Sequence, residues 1–429
     1  MQHTTPRRAL ISRLRTLVLA AALLAALGPP VAHAEVPAAA AASPRDVLVL
    51  QRLLARAAAW KGDARKPFDR DSHRELVTLA DELTDAVLRD QVKDSLRDLE
   101  RAVQARARGR AVATAVAEVK GLTTFEPAGP RWLRLLVGNE PMKVYEQLTV
   151  VDLYDRQNAH AATYQRNDKI ADGWLSHLDG LTDLVKLDLA NTSVTGPGLK
   201  HVGALTSLES LNLTLTPVSD DSLLYLRGLV NLKIVSLAST PVNGEGVRAF
   251  AGMTQLHNLN LHNTPVTDAG LQEISRLTSL ERLEIVHTKF TDPGAWYLSK
   301  LKNLQRLQLG SRQATGACIA HLKALPKLRE LDLHDVIGTS EAIAHASQIP
   351  TLRVLRVHLG GVKDDELKNI AKLSNLEQLI LGGAQFSDDG LLQLTALKQL
   401  RVLNLGGSKA KDETIAKLVE AVPELVVTR

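Results

Sequence analysis

Residues 253–276 read MTQLHNLNLHNTPVTDAGLQEISR, and variants of this stretch recur every 24 residues. Two further copies are LTSLESLNLTLTPVSDDSLLYLRG at 205–228 and LSNLEQLILGGAQFSDDGLLQLTA at 373–396. Their apolar residues share positions 1, 4, 7, 9, 14, 19 and 22 of the unit. Positions 7 and 9 alternate as in a strand, and positions 19 and 22 have helical spacing. Each unit therefore predicts one short strand, a turn and one helix.

Ten such units follow one another without insertion from residue 181 to residue 420. A single unit cannot bury both its leucine row and its helix stripe, so we expect neighbouring units to stack. Their strands then pair into a parallel sheet about 4.8 Å apart, with the helices on the opposite side. Because helices are wider than strands, the stack curves with the sheet on the inside. The prediction is an α/β solenoid with a concave parallel sheet and convex helices.

The shared frame resembles the leucine-rich repeat family, in its 24-residue bacterial type, with threonine at position 12 where better-known repeats carry asparagine. The resemblance covers more than half of the chain. It implies a horseshoe whose inward-pointing strand residues are free of folding duties, and it places any function on that concave face. Aspartates at position 16 are expected to cap the helices or to favour their dipoles; they are Asp220, Asp268, Asp292, Asp364, Asp388 and Asp412.

Both ends of the array need cover, because a terminal repeat would otherwise expose its leucine row. Residues 122–180 are interpreted as a cap, with a lid around Trp132 and an imperfect first repeat. In that repeat Leu148, Val151 and Leu153 form the strand, and an insertion around Gln157–Lys169 precedes the helix. Residues 421–429 supply one closing strand.

The first 34 residues have the organisation of a cleavable export signal. Four arginines at 7, 8, 13 and 15 precede an apolar run, Leu17–Leu27, and Ala32-His33-Ala34 offers small residues before Glu35. The apolar run is shorter than the roughly 20 residues that span a bilayer. We therefore expect a secreted or periplasmic protein with no stable membrane span after cleavage. Residues 35–42, rich in Ala and Pro, are a spacer.

The capping pattern and the apolar spacing of residues 43–121 predict a helical segment. Ser43 precedes a proline and an acid, Asp46, in the pattern of a helix cap. The apolar stripe slips between Val87 and Val92, which indicates a bend near Asp90. Gly109 is expected to separate a further helix, 110–120, with Gly121 as its C-terminal cap.

Composition excludes several classes of protein. The net charge of +5 arises from 52 basic and 47 acidic side chains, so nucleic acid is not implied. The single cysteine, Cys318, rules out an internal disulfide, and we interpret it as a buried structural thiol. No phosphate loop, GxSxG or HExxH motif is present. We expect neither an enzyme nor a cofactor.

The concave face is richest in polar side chains between units 4 and 8. His334 and His358 share position 10 in adjacent strands, a spacing compatible with sharing a metal ion or a carboxylate. We assign no metal ligand, and the same side chains also fit a merely solvated surface. The candidate binding residues are Asn260, His262, Glu284, His287, Arg306, Gln308, Asp332, His334, Asp335, Arg356 and His358.

These observations favour an exported binding protein that presents a rigid concave sheet to a protein or peptide. The alternative is a structural envelope protein, in which the array is a spacer and the helical segment 43–121 self-associates.

Overall fold

The computed structural model describes residues 43, 45, 46, 48–50, 52, 53, 70–127, 146–154, 166–358, 360–382, 385–408 and 410–428. The predicted signal peptide, the spacer and the lid around Trp132 lie outside these residues. The described residues form two compact units. One contains those up to Thr114 together with Thr123–Thr149, and the other contains Ala115–Leu122 together with those from Val150 onward. No helix among the described residues is long and apolar enough to cross a membrane.

The N-terminal unit is mainly helical. Helical turns occur within residues 45–53, and they are followed by α1 (Arg70–Asp81) and α2 (Ala86–Glu118). Two strands, β1 (Leu122–Pro127) and β2 (Glu146–Asp152), lie side by side after the helices. The apolar residues buried in these helical segments include Val49, Leu50, Leu53, Leu76, Ala80, Leu83, Val92 and Leu96.

Ser43 caps the first helical turn, as its sequence context predicts. The backbone N–H of Asp46 donates to Ser43 Oγ at 3.1 Å, and Ser43 Oγ donates to the Asp46 carboxylate at 2.8 Å. The same carboxylate accepts from the backbone N–H and the hydroxyl of Thr84, at 2.5 and 2.7 Å. Asp46 therefore ties the first helical turns to the break between α1 and α2. Burial raises the pKa of Asp46, but the hydrogen bonds from Thr84 and Ser43 outweigh it and lower the pKa to about 2.

Two expectations for the helical segment are wrong. The break lies at residues 82–85, ahead of the expected bend near Asp90, and α2 continues through Gly109. A side chain at Gly109 would place its Cβ 2.9 Å from Leu148 Cβ and 3.4 Å from the Phe125 ring. Gly109 therefore lies within one continuous helix, where the lack of a side chain allows close packing against Leu148 and Phe125. It does not mark the end of a helix.

The C-terminus of α2 also differs from expectation. The residue with left-handed backbone is Lys120, at φ 62°, and the N–H of Gly121 donates to Val116 O at 2.9 Å. A Cβ at Gly121 would lie 2.7 Å from Asp152 O. The glycine is thus required for close approach, one residue beyond the position that takes the left-handed conformation.

The second unit is built on one parallel sheet. Its strand order is β2, β4, β6 and then β7 to β15 in sequence, and β2 joins through Val150–Asp152. The strands are β4 (Lys186–Asp188), β6 (Ser210–Asn212), β7 (Ile234–Ser236), β8 (Asn258–Asn260), β9 (Arg282–Thr288), β10 (Arg306–Ser311), β11 (Glu330–His334), β12 (Val354–Val357), β13 (Gln378–Leu381), β14 (Val402–Asn404) and β15 (Val426–Thr428). A separate pair is formed by β3 (Asn167–Ala171) and β5 (Thr192–Ser193).

Strand register reproduces the sequence period. Leu307 pairs with Leu331, and Leu331 pairs with Leu355, so partners are 24 residues apart. At the start of the sheet Val151 pairs with Leu187, a separation of 36 residues, which accommodates the insertion predicted in the imperfect first repeat.

The core between sheet and helices is aliphatic. Leucines at unit positions 7 and 9, such as Leu259 and Leu261, are fully buried, as are Leu271 and Ile274 from the helix of the same unit. Each such row contacts the rows of both neighbouring repeats, so the core runs along the array.

A buried threonine shapes the turn after each of several strands. The hydroxyl of Thr264 donates to Leu261 O at 2.5 Å, and Thr192, Thr216 and Thr240 make the same bond three residues back. The residue before this threonine takes a left-handed backbone; examples are Asn263 (φ 53°) and His287 (φ 56°). The turn therefore fixes the direction in which position 11 side chains leave the strand.

The connecting helices are short, and some are α-helices while others are 3₁₀ turns. The α-helices are α3 (Leu199–Val202), α4 (Asp268–Ile274), α5 (Asp292–Ala295), α6 (Thr339–Ala346), α7 (Asp364–Ile370), α8 (Asp388–Leu392) and α9 (Asp412–Ala421). The 3₁₀ turns are Asp172–Leu178, Asp220–Leu226, Glu245–Phe250, Trp296–Lys300, Gly316–Ala324 and Gln393–Ala396.

The position 16 aspartates are first-turn residues, but they are not the N-caps. The N-cap is the preceding residue, which is Ser or Thr in four repeats and Lys before Asp364 and Asp412. Thr267, for example, accepts a hydrogen bond from the N–H of Gly270. The carboxylate of Asp268 instead crosses to the next repeat, where it accepts from Thr291 N at 2.7 Å and Thr291 Oγ1 at 2.6 Å. Equivalent bonds link Asp292 to Thr315 and Asp364 to Ser387. These aspartates therefore join repeats to one another, which a repeat read in isolation does not reveal.

Candidate functional site

The outward side of the sheet in the second unit, called the sheet face below, carries positions 6, 8 and 10 of each repeat. On four of the three-residue strands, the position 8 residue is an Asn or Asp whose side chain binds the backbone two residues further on. Asn260 Oδ1 accepts from His262 N at 2.8 Å, and Asp188, Asn212 and Asn404 make the same bond. Position 8 is therefore not free of folding duties in these repeats, contrary to the expectation from the family.

Strands β9 to β13 are longer, with four to seven residues each. Position 8 in this part of the sheet carries side chains of varied size and charge. They are Glu284, Gln308, Asp332, Arg356 and Ile380. The candidate site lies where the strands lengthen.

At its centre are three residues, Asp332, His334 and His358, named here the His–Asp cluster. Asp332 Oδ1 lies 2.9 Å from His334 Nε2 and 3.2 Å from His358 Nε2. The two imidazole rings stack with centroids 4.3 Å apart and planes 14° apart. From the sequence, the spacing of these histidines is compatible with sharing a carboxylate or a metal ion; in the structure both imidazoles approach one oxygen of Asp332.

Asp332 is 8% exposed, and its Oδ1 atom is closed to solvent. Among the described residues, this oxygen receives no aligned hydrogen bond, although both imidazole nitrogens are close to it. Burial lowers the pKa of His358; the charges of His334 and Arg356 also lower it, and Asp332 opposes them. The cluster thus combines a buried carboxylate oxygen with an imidazole that favours its neutral form.

Glycines border the two histidines at position 10. A Cβ at Gly310 would lie 2.6 Å from His334 O and 2.9 Å from His334 Cβ, so no larger residue fits there without movement. On the other side, a Cβ at Gly382 would meet His358 Nδ1 at 3.9 Å. Position 10 is therefore glycine in the repeats on both sides of the histidine pair, and no bulky side chain at this position lies next to the rings.

A second group contains His262, His287, Asp335 and Arg312. The rings of His262 and His287 meet edge to face at 5.1 Å, and His287 Nδ1 is in close contact with Asp335 Oδ2. Arg312 Nε lies 3.9 Å from the same carboxylate. Burial lowers the pKa of His262, with help from the charges of His287 and His334 and against that of Asp335. The strand between them carries the small residues Gly310 and Ser311. These allow His287 of one repeat to contact Asp335, which lies two repeats further on.

The third group lines an open cleft of about 270 Å³ on strands β9 to β12. Arg306 Nε lies 2.9 Å from Glu330 Oε1, and Arg356 Nη1 lies 3.9 Å from Glu330 Oε2. The lining residues are Arg282, Leu283, Arg306, Leu307, Gln308, Glu330, Asp332 and Arg356. Asp332 is thus shared by the cleft and the His–Asp cluster.

Glu284 lies beside this cleft and is half-buried. Burial raises its pKa; the charge of Arg282 lowers it and that of Asp332 raises it. Carboxylates and guanidinium groups are thus close neighbours on this part of the sheet face.

Ten of the eleven candidate residues lie in or beside these three groups, while Asn260 is held by its own turn. Sequence reasoning missed Arg282, Glu330 and Arg312. The first two occupy position 6, which the period of a strand places on the same face as position 8. Reading that column throughout the array, rather than at Arg306 alone, would have found them.

Cys318 takes no part in this surface. It is fully buried in the 3₁₀ turn Gly316–Ala324, and burial, with the charges of Asp292 and Glu341, raises the pKa of its thiol to about 12. A thiol in that state is a packing residue.

The chain was compared with known proteins. A family model described as a leucine-rich repeat region matches residues 137–392, more than half of the chain. Similar solved structures include an internalin of Listeria monocytogenes, with 18% identity and a TM-score of 0.38 over 58% of this chain and 81% of that one. Another is an internalin C2 of the same organism, with 20% identity and a TM-score of 0.38 over 49% and 85%. No curated protein matches the sequence.

Proposed function

Because the chain belongs to the leucine-rich repeat family, we propose that it is an exported binding protein whose sheet face recognises a protein or peptide partner. The observation that carries the proposal is the cleft on β9 to β12, where Arg306 and Arg356 flank Glu330 and Arg282 lines the same opening. These side chains are held on parallel strands of a continuous sheet. A partner therefore meets a surface that is already ordered.

The dimensions of this surface favour an extended ligand. Strands in a sheet are about 4.8 Å apart, so the four strands of the cleft span roughly 14 Å between the first and the last. An extended peptide advances about 3.3 Å per residue, and four or five residues would cross that distance. The cleft is open, which suits a chain that enters and leaves at its edges.

The chemistry favours a ligand with both acidic and polar groups. Guanidinium groups bind carboxylates through two parallel hydrogen bonds, and arginine is enriched among residues that dominate binding energy. Arg306 has half of its side chain exposed and already contacts Glu330, which a ligand carboxylate can replace. Because little backbone entropy is lost on a rigid sheet, modest contacts suffice for affinity.

The test uses a displayed library of random peptides selected on the mature protein. Selected peptides are then measured against the double variant Arg282→Ala/Arg306→Ala and against Arg248→Ala/Lys323→Ala, which removes two exposed cations from the helical side. We expect the first variant to weaken binding at least about tenfold, or about 1.4 kcal/mol, and the second to leave it unchanged. Equal affinity for wild type and both variants would refute the cleft as the binding site. Circular dichroism establishes that both variants fold.

Export has its own test. N-terminal sequencing of the protein recovered from a secreting host should begin at or near Glu35. A product that keeps Leu17–Leu27 and needs detergent for extraction would contradict cleavage.

A further inference from the structure

The His–Asp cluster has the donor set of a transition-metal site. Two imidazole nitrogens and one carboxylate oxygen are the ligands that zinc and related divalent ions take in sites that keep an open position. The Nε2 atoms of His334 and His358 and an oxygen of Asp332 all lie within 4.8 Å of one another. Ligand distances of about 2.0–2.1 Å around a tetrahedral ion place neighbouring donors roughly 3.3 Å apart. The measured 2.9 and 3.2 Å from Asp332 to the two histidines are close to that value.

A second observation is the state of Asp332 Oδ1. This oxygen is closed to solvent, and no aligned hydrogen bond reaches it from any described residue. A buried polar atom without a hydrogen bond destabilises the fold, and more so when it is charged, so such an atom needs an explanation. A cation bound between the carboxylate and the two imidazoles would satisfy this oxygen.

The surroundings leave the site accessible from the sheet face. His334 is 26% exposed and His358 39% exposed, so the imidazoles form the outer wall and Asp332 the floor. Gly310 and Gly382 flank them without side chains. Arg356, two residues before His358, lines the cleft together with Asp332. Asp332 and His334 lie on β11, and His358 directly follows the adjacent strand β12.

From these features we propose that Asp332, His334 and His358 bind one divalent transition-metal ion of the zinc class. Three protein ligands leave a fourth position for water or for a donor from a bound partner. Hard cations such as Ca²⁺ and Mg²⁺ are excluded as preferred occupants, because they favour oxygen ligands. The proposal does not rest on peptide binding in the neighbouring cleft.

The experiment is calorimetric titration of Zn²⁺ into the untagged mature protein after treatment with a chelator, in a buffer that does not bind metal. Co²⁺ is titrated in parallel, because its visible absorption reports the coordination geometry. We expect one strong site per chain. His334→Gln, His358→Gln and Asp332→Asn should each weaken that site at least about tenfold, since even residues that only orient metal ligands contribute 10–100-fold.

The matched control is His201→Gln. His201 Nδ1 contacts Asp179 Oδ1 at 2.7 Å, so this variant removes another exposed histidine–aspartate pair elsewhere in the same unit. It should bind Zn²⁺ as the wild type does, and so should the cleft variant Arg282→Ala/Arg306→Ala. The proposal is overturned if no strong site is found, if the three cluster variants keep wild-type affinity, or if His201→Gln loses as much affinity as they do.

Discussion

His334 and His358 stack face to face, with ring centroids 4.3 Å apart, although 24 residues separate them in the chain. Both occupy position 10, and their strands are neighbours in the parallel ladder. Their Nε2 atoms converge on one oxygen of Asp332, which stands two residues before His334. Two neighbouring repeats thus bring three possible metal ligands together at a buried carboxylate oxygen. If a metal ion binds there, the stability of the fold should depend on its presence.

The first prediction concerns this dependence and is tested at pH 8, where an imidazole of ordinary pKa is largely neutral. With chelator present, Asp332→Asn should unfold at a denaturant concentration at least as high as the wild type, because it removes a buried charge that lacks a hydrogen bond. Zn²⁺ at 100 times its dissociation constant should stabilise the wild type by about 2.7 kcal/mol. The variant should gain much less. A variant that is less stable without metal and gains equally with it would contradict this account.

The histidine pair could be predicted from sequence because it follows from the repeat period alone. The convergence on Asp332 could not, because it depends on side-chain rotamers. The same limit explains Asn260, which shares position 8 with Asp332 but is held by a turn bond that exists only where the strand is short. The Asn and Asp side chains that bind the backbone at position 8 lie on three-residue strands, whereas Asp332 lies on the five-residue strand β11.

The second prediction compares two neighbours on β10. Leu307 is 1% exposed and points into the core, whereas Gln308 lies on the sheet face. Leu307→Ala should destabilise the second unit by about 2–5 kcal/mol, and Gln308→Ala by less than about 0.5 kcal/mol. Chemical denaturation measures both. Equal losses would mean that the alternation of inward and outward residues is misplaced.

The third prediction concerns the bonds between repeats. Asp364 accepts from Ser387 N at 2.8 Å and from Ser387 Oγ at 2.7 Å, while Asp365, next to it in the same first turn, is exposed. Asp364→Ala should cost about 1–3 kcal/mol, because charged hydrogen bonds to the next repeat are lost. Asp365→Ala removes only a favourable dipole interaction and should cost less than about 1 kcal/mol. Comparable losses for the two variants would assign both aspartates to the dipole alone.

The N-terminal unit was harder to predict than the array. The repeat pattern occurs ten times in the sequence, so an irregular copy can be recognised by comparison with the others. Gly109 occurs once, and its role depends on Leu148 and Phe125, which approach it from distant parts of the sequence. Local signals gave the Ser43 cap correctly because that motif is completed within four residues.

The last prediction tests how Asp46 holds the helical segment together. Its pKa in the folded protein is about 2, below the ordinary value of 3.8. A lowered carboxyl pKa means that the ionised form stabilises the fold; this contribution is complete above about pH 4–5 and is lost as the pH falls through 3.8 toward 2.

Asp46→Asn lacks that contribution at every pH. Hydrogen exchange of the segments that contain residues 45–53 and Thr84 should therefore be faster in the variant than in the wild type at pH 5. The ratio of the two rates should approach one near pH 2, because comparison at equal pH cancels the intrinsic exchange rate. Thr84→Val, which removes one hydroxyl donor to the carboxylate, should show part of the same effect. A rate ratio that stays constant from pH 5 to pH 2 would mean that the Asp46 contact does not depend on its charge.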